Sequence, residues 1–172
     1  MDPKRLRKLV KRVKDFPVKG VLFRDITPLL ADETMFHFCI ETMAGMLRDE
    51  NIDKVVSIES RGFIFGSALA YRLHCGFVPI RKAGKLPRKT LAQSYELEYD
   101  KHVIEIHQDA IKKNEKVVIV DDVLATGGTL EAAGKLVKEL GGKIFMGICL
   151  IELVKLNGRE KVDFPIAVMM RY

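Results

Sequence analysis

The sequence predicts an α/β fold, a mostly parallel, twisted sheet with helices on both faces. Three observations predict it. Short apolar runs alternate with helix-like segments from about residue 54 to residue 153, the pattern of successive βαβ units. The runs Val55-Val56, Val117 to Val120 and Ile144 to Ile151 are apolar nearly throughout, as strands buried on both faces are. The chain has 172 residues, 48% hydrophobic and 30% charged. That suits one domain spanning 1–172 with a real core, and it excludes a largely disordered chain.

Residues 2–15 read as an amphipathic helix. Asp2 can cap it, Pro3 suits its first turn, and Leu6, Leu9, Val10 and Val13 fall on one face. Pro17, Gly20 and Pro28 punctuate the stretch from Phe16 to Leu30, which has no helical period and reads as a loop or hairpin. Its centre, Val21 to Ile26, is too apolar for idle surface. Asp32 can cap a second helix running to about Glu50, with Met35, Phe36, Cys39, Ile40, Met43 and Leu47 inward. Strands are expected at Lys54–Ile58 and Phe77–Ile80, with a helix at Phe63–His74 between them. Residues 81–92 form a basic loop carrying Arg81, Lys82, Lys85, Arg88 and Lys89. Strand-like stretches follow at Gln93–Tyr99, Val103–Ile106 and Val117–Asp121. A helix at Leu130–Leu140 closes on Gly141-Gly142, and strands at Lys143–Leu153 and Ile166–Met170 complete the chain.

Composition narrows the partners. The net charge is +6, but seven of the 29 basic residues lie in the first 14 positions against one acid. The remainder balances at 22 of each sign, so the excess is one local stripe. It reads as a solvated helix face, and nucleic acid is not an expected partner. No apolar run approaches the roughly 20 residues of a membrane span, and no apolar segment follows Met1-Asp2-Pro3-Lys4-Arg5, so neither membrane nor secretion is expected. Cys39, Cys75 and Cys149 are odd in number and widely spaced. They form neither a disulfide framework nor a zinc motif, and a reducing cytoplasm is expected.

The segment with most chemical content runs from Val117 to Thr129. A buried strand delivers Asp121 and Asp122 to its C-terminal end, the edge where open parallel sheets bind ligands. Thr126-Gly127-Gly128-Thr129 follows and opens a helix. Its glycines let backbone amides approach a ligand, its hydroxyls add donors, and the helix N-terminus adds positive partial charge. Together they make a cradle for a phosphate monoester beside two acids able to hold sugar hydroxyls. It is not a Walker loop, because Gly-Lys-Thr is missing.

This segment resembles the phosphoribosyl pyrophosphate signature of the type I phosphoribosyltransferases. Four further stretches extend the likeness from about residue 16 onward. They are Gly20 to Pro28, Ser57 to Phe63, Ile80 to Pro87 and Ser94 to Tyr99. The resemblance implies a single domain of that family's fold, with residues 1–30 as N-terminal helix and base-binding hood and 81–99 as a mobile lid. It implies transfer of phosphoribose from phosphoribosyl pyrophosphate to a purine nitrogen, with pyrophosphate leaving and magnesium bridging pyrophosphate and ribose hydroxyls. No metal ligand from the chain itself is implied.

The same resemblance assigns residues. Ala125, Thr126, Gly127, Gly128 and Thr129 match the 5-phosphate loop, and Asp121 and Asp122 match the acids at the ribose hydroxyls. Glu59-Ser60-Arg61 resembles the pyrophosphate loop, often built on a non-proline cis peptide, with Arg61 facing the leaving group. Arg81 and Lys85 would meet pyrophosphate oxygens from the lid. Glu98 matches the carboxylate near the purine imidazole nitrogens, with Tyr99 beside it, and Leu22, Phe23 and Arg24 match the base pocket. Family members acting on hypoxanthine or guanine usually carry an acid at the position of Ala125 and begin the motif Glu-Asp. Both differences imply adenine as the base and AMP as the product. A xanthine-accepting enzyme and a phosphoribosyl pyrophosphate-sensing regulator stand as alternatives. Arg88 departs from the small residues usual on the lid. A homodimer is expected, both from the family and from the apolar segments Val21–Ile26 and Phe63–Ala70.

Overall fold

The computed structural model of the chain describes residues 3–97 and 100–172. The fold divides into two compact units, 1–42 and 43–172.

In the first unit, helix α1 (Pro3–Lys8) is followed by strand β1 (Lys11–Lys14), which pairs antiparallel with β2 (Leu22–Asp25). The single helix expected over 2–15 is therefore corrected to a six-residue helix and a strand. Leu6 and Val10 are buried as that periodicity requires, but Val13 sits opposite Phe23 in the hairpin and is partly exposed. A short isolated helix is marginal in water, and the ladder with β2 captures the second half of the segment. The basic side chains from Arg7 to Lys14 are exposed, while Arg5 pairs with Asp32 at 2.8 Å.

Of the loop or hairpin expected over 16–30, β2 is one strand of a hairpin, but its partner β1 lies upstream of that segment, and Phe16 meets Phe23 edge-on at 5.0 Å. A five-residue helix α2 (Thr27–Ala31) follows it, too short to show a period, with Pro28 in its first turn. Asp25 accepts bonds from the Thr27 amide and hydroxyl. Helix α3 (Glu33–Gly45) starts as expected, with Asp32 accepting the Met35 amide at 2.9 Å, but it ends five residues early.

The second unit is built on a seven-stranded sheet. Its strands are β3 (Lys54–Ile58), β4 (Gly76–Lys82), β5 (Thr90–Leu97), β6 (Asp100–His107), β7 (Lys116–Leu124), β8 (Lys143–Glu152) and β9 (Ile166–Arg171). The spatial order is β5-β6-β4-β3-β7-β8-β9. Every pairing from β4 to β9 is parallel, and β6 pairs antiparallel with both β4 and β5. The basic loop is shorter than the sequence suggests, because β4 runs on to Lys82 and β5 starts at Thr90.

Helix α4 (Gly62–Leu73) joins β3 to β4, and α5 (Gly128–Glu139) joins β7 to β8. The two crossovers leave the centre in opposite directions, so right-handed connections place the helices on opposite faces. The core agrees. Val56, Ile58, Val117 and Ile119 share one pleat face with Leu130, Ala133, Leu136 and Val137 of α5. On the other face the Ser57 hydroxyl bonds the Val120 carbonyl beneath α4. Helix α5 closes on Gly141, at φ +86°, and the Gly142 amide bonds the Val137 carbonyl. Chain order reverses between β3 and β7, which puts a ligand crevice at their C-terminal ends.

Candidate active site

Two loops meet at that reversal point. The first follows β3, where the peptide between Glu59 and Ser60 is cis, as the resemblance implies. The second follows β7. Four fully buried residues, Val117 to Val120, anchor β7 and carry Asp121 and Asp122 to the crevice. The strand continues to Leu124, so the acids lie within its last turn of pleat and not at its final residue.

Arg61 reaches from the first loop to β7. Its Nε lies 2.8 Å from Asp122 Oδ2, and Asp122 is almost wholly buried. Asp121 Oδ1 accepts the Asp122 amide at 2.8 Å. It also lies against the start of α4, where a Cβ on Gly62 would stand 3.0 Å from it. Burial raises both carboxyls above their ordinary range. For Asp121 the neighbouring Asp122 charge adds to the rise, while for Asp122 the Arg61 guanidinium opposes it. Two carboxylates thus share a poorly solvated corner with one cation beside them, a charge arrangement suited to binding hydroxyl donors or a cationic ligand.

The turn after β7 leads directly into α5. Gly127 has φ +84°, a left-handed conformation that a side chain would strain, and it occupies the helix N-cap without a side-chain cap. The first amides of α5 therefore point outward from the helix start, where an anion is favoured. A cavity of about 60 Å³ lies within this segment, bounded by Asp121, Ala125, Thr126, Gly127 and Thr129 among others. A larger cleft of about 350 Å³ opens between β5 and α5 against Ser94, Tyr95, Lys135 and Lys161. Neither Asp121 nor Asp122 lines it, whereas the smaller cavity has Asp121 and the turn into α5 in its wall.

Glu59 and Arg81 are also brought together. The Glu59 carboxylate accepts Arg81 Nε and the Lys82 amide, each at 3.1 Å. Burial would raise this carboxyl, but those two donors outweigh it and hold it below its usual range. Lys85 is exposed, and its carbonyl accepts Arg81 Nη1 at 3.2 Å. Arg88, the departure on the lid, pairs with Asp109. Glu98 and Tyr99 lie outside the described residues. Leu22, Phe23 and Arg24 lie on β2 in the first unit.

One neighbour of the phosphate-loop candidate escaped the sequence reading. A Cβ on Gly127 would fall 2.1 Å from the Gly158 carbonyl oxygen, so the segment around Gly158 leans directly on the turn. Asn157-Gly158 signals a turn in the sequence, but nothing local tells which surface that turn meets.

A family model for the phosphoribosyl transferase domain matches residues 27–170. Fold, crevice and match together define a phosphoribosyltransferase domain. The adenine phosphoribosyltransferase of Brachyspira hyodysenteriae is 49% identical over 168 residues, covering 97% of this chain and 99% of that protein. The enzyme of the same name from Petrotoga mobilis is 52% identical over 168 residues, covering 97% of each. The crystal structure of adenine phosphoribosyltransferase from Thermoanaerobacter pseudethanolicus superposes with a TM-score of 0.96 at 46% identity, covering 99% of this chain and all of that one. The Saccharomyces cerevisiae enzyme, solved with an imino-altritol bisphosphate and adenine, gives 0.92 at 37% identity, covering 97% of each chain. The chain belongs to the adenine phosphoribosyltransferases.

Proposed function

We propose that this enzyme converts adenine and phosphoribosyl pyrophosphate to AMP and pyrophosphate, a purine-salvage glycosyl transfer, through the site built on β7. The observation that carries the site is the acidic pair Asp121-Asp122 set directly before the Gly127 helix start, with Arg61 reaching Asp122 from the facing loop. In the reaction a purine nitrogen forms a bond to the anomeric carbon while the bond from that carbon to the pyrophosphate oxygen breaks. Positive charge grows on the sugar between the two events, so the protein acts by positioning and by placing charge.

In this reading the amides and hydroxyls of 126–129 hold the 5-phosphate. Asp121 and Asp122 accept the ribose hydroxyls. Arg61, Arg81 and Lys85 meet the pyrophosphate, and Glu59 holds Arg81 in place for it. Leu22, Phe23 and Arg24 receive the base, and Glu98, with Tyr99, manages the proton on its imidazole ring. Magnesium suits the donor set, since it is commonly held by one or two carboxylates together with substrate phosphates and water. Asp121 and Asp122 would hold it through the sugar hydroxyls, and when bound it would neutralise charge on the departing pyrophosphate.

Pyrophosphate release measured over a nucleobase panel with magnesium tests the function. Adenine is expected to turn over, with guanine, hypoxanthine and xanthine poor. Equal turnover of guanine or xanthine would contradict the specificity. Binding of phosphoribosyl pyrophosphate without turnover of any base would favour a regulator instead.

A homodimer and a cytoplasmic setting belong to the same reading. Ile64 and Tyr71 of α4 and Phe77 of β4 are exposed, Tyr71 at 84%, and apolar surface of this kind is commonly covered by a second copy. Sedimentation velocity is expected to give the dimer mass at assay concentration, and a fully active monomer would contradict it. Cys39, Cys75 and Cys149 are free thiols, as suits a reducing compartment. Among the described residues no helix is long and apolar enough to cross a membrane.

A further inference from the structure

We propose that Gly158 is a positioning residue for phosphoribosyl pyrophosphate, its backbone clamped by Arg159 and Glu152 so that it sets the shape of the Ala125–Gly127 turn. The inference rests on the reading of 125–129 as the 5-phosphate loop.

Two backbones touch here with no side chain between them. A Cβ on Gly158 would lie 2.1 Å from the Ala125 carbonyl oxygen and 2.7 Å from the Gly127 nitrogen. A Cβ on Gly127 would in turn lie 2.1 Å from the Gly158 carbonyl oxygen. Real Cβ contacts essentially never fall under 3.0 Å. Because the obstructing atoms belong to the main chain, no rotamer change relieves the overlap, and a methyl group on either residue must displace the turn. Gly158 is the surface against which the curvature of the turn is set.

A wall of this kind works only if it is itself fixed. Glu152, the last residue of β8, is a nearly buried carboxylate that receives Arg159 through two nitrogens, Nε at 3.0 Å and Nη2 at 2.9 Å. The remaining terminal nitrogen of Arg159 donates to the Ile166 carbonyl at 2.7 Å, and Arg171 Nε adds a bond to Glu152 at 3.0 Å. The hydrogen bond from Arg159 is the main influence holding the Glu152 carboxyl below its usual range. Glu152 also stands opposite Leu124 in the sheet, and the Leu153 amide bonds the Leu124 carbonyl at 2.9 Å. The excursion from Leu153 to Arg159 is therefore tied at one end to Leu124 of β7, just before the turn, and at the other to Glu152 beside it in β8. A planar, two-toothed guanidinium fits this task, and an ammonium cannot reproduce it.

The test is steady-state kinetics with phosphoribosyl pyrophosphate and adenine varied separately, on the full chain, for Gly158→Ala, Arg159→Lys and the loop variant Thr126→Ala, with Tm measured for each. A displaced positioning element can cost on the order of a hundredfold, so Gly158→Ala is expected to raise KM for phosphoribosyl pyrophosphate by about tenfold to a hundredfold, leaving KM for adenine within about twofold. Arg159→Lys is expected to move the same constant the same way by about threefold to tenfold, because it keeps the charge and loses the fork. If Gly158→Ala does not fold, Arg159→Lys decides alone. If Thr126→Ala raises that KM while Gly158→Ala and Arg159→Lys do not, the inference is overturned and the loop assignment stands. If Thr126→Ala leaves it unchanged, the loop assignment falls and the inference with it. KM values for both substrates rising together with a lowered Tm would overturn it in favour of a purely structural role.

Discussion

Glu98→Leu is expected to lower kcat by about a hundredfold, the lower end of what a positioned general acid or base contributes. Glu96→Leu is expected to cost much less. The pair is informative because the two acids lie two residues apart in one motif, so each substitution removes one negative charge from the same short stretch. Only the register differs. In the proposed reading Glu98, not Glu96, meets the purine imidazole. Single-turnover formation of AMP measures the effect free of product release. A larger loss from Glu96→Leu would show that the motif had been carried over two residues out of place.

Asp121→Asn and Asp122→Asn are each expected to lower kcat/KM by about tenfold to a hundredfold, since a hydrogen bond to a charged acceptor is worth about 1.5–3 kcal/mol. Stability should move the other way for Asp121. Burial raises its carboxyl well above the ordinary 3.8, so the folded chain keeps that proton at pH values where the unfolded chain has lost it. Its contribution to stability is fully present below 3.8 and is lost as pH rises through the raised value. Asparagine removes that loss. The Tm of Asp121→Asn should exceed that of the parent chain at neutral pH, and the difference should close in acid. Asp122→Asn should show a smaller gain of the same sign, because burial raises that carboxyl too while the Arg61 guanidinium opposes the rise. Thermal melts across pH check both signs. Unchanged kinetics in both variants would remove the pair from the site.

How much of this was legible in the sequence follows from how local each feature is. The strand, acidic pair and helix start of β7 and α5 could be read directly. Four consecutive apolar residues, two acids and two glycines each report on their own backbone, and none needs a distant partner to be understood. Asp32 as a helix cap was equally local. The first 15 residues misled for the opposite reason. Leu6 and Val10 obey a helical period and are buried, yet β1 forms because β2 lies beside it, and that pairing depends on a hairpin closed by residues in between. Helix α2 was hidden by its five-residue length. At the site, the family resemblance implied Arg61 facing the leaving pyrophosphate, but not that it would reach Asp122 on β7. Gly158 was the least legible, because the contact joins backbones 31 positions apart and involves no side chain.

The most direct test of the account is to identify the product formed from adenine and phosphoribosyl pyrophosphate with magnesium, using the parent chain beside the double variant Asp121→Asn, Asp122→Asn. Chromatographic separation with stoichiometric pyrophosphate measurement is sufficient. The account predicts AMP and pyrophosphate in equal amounts from the parent chain, and a large loss of both from a double variant that still melts cooperatively. Absence of AMP from the parent chain, or undiminished AMP from the folded double variant, would contradict it.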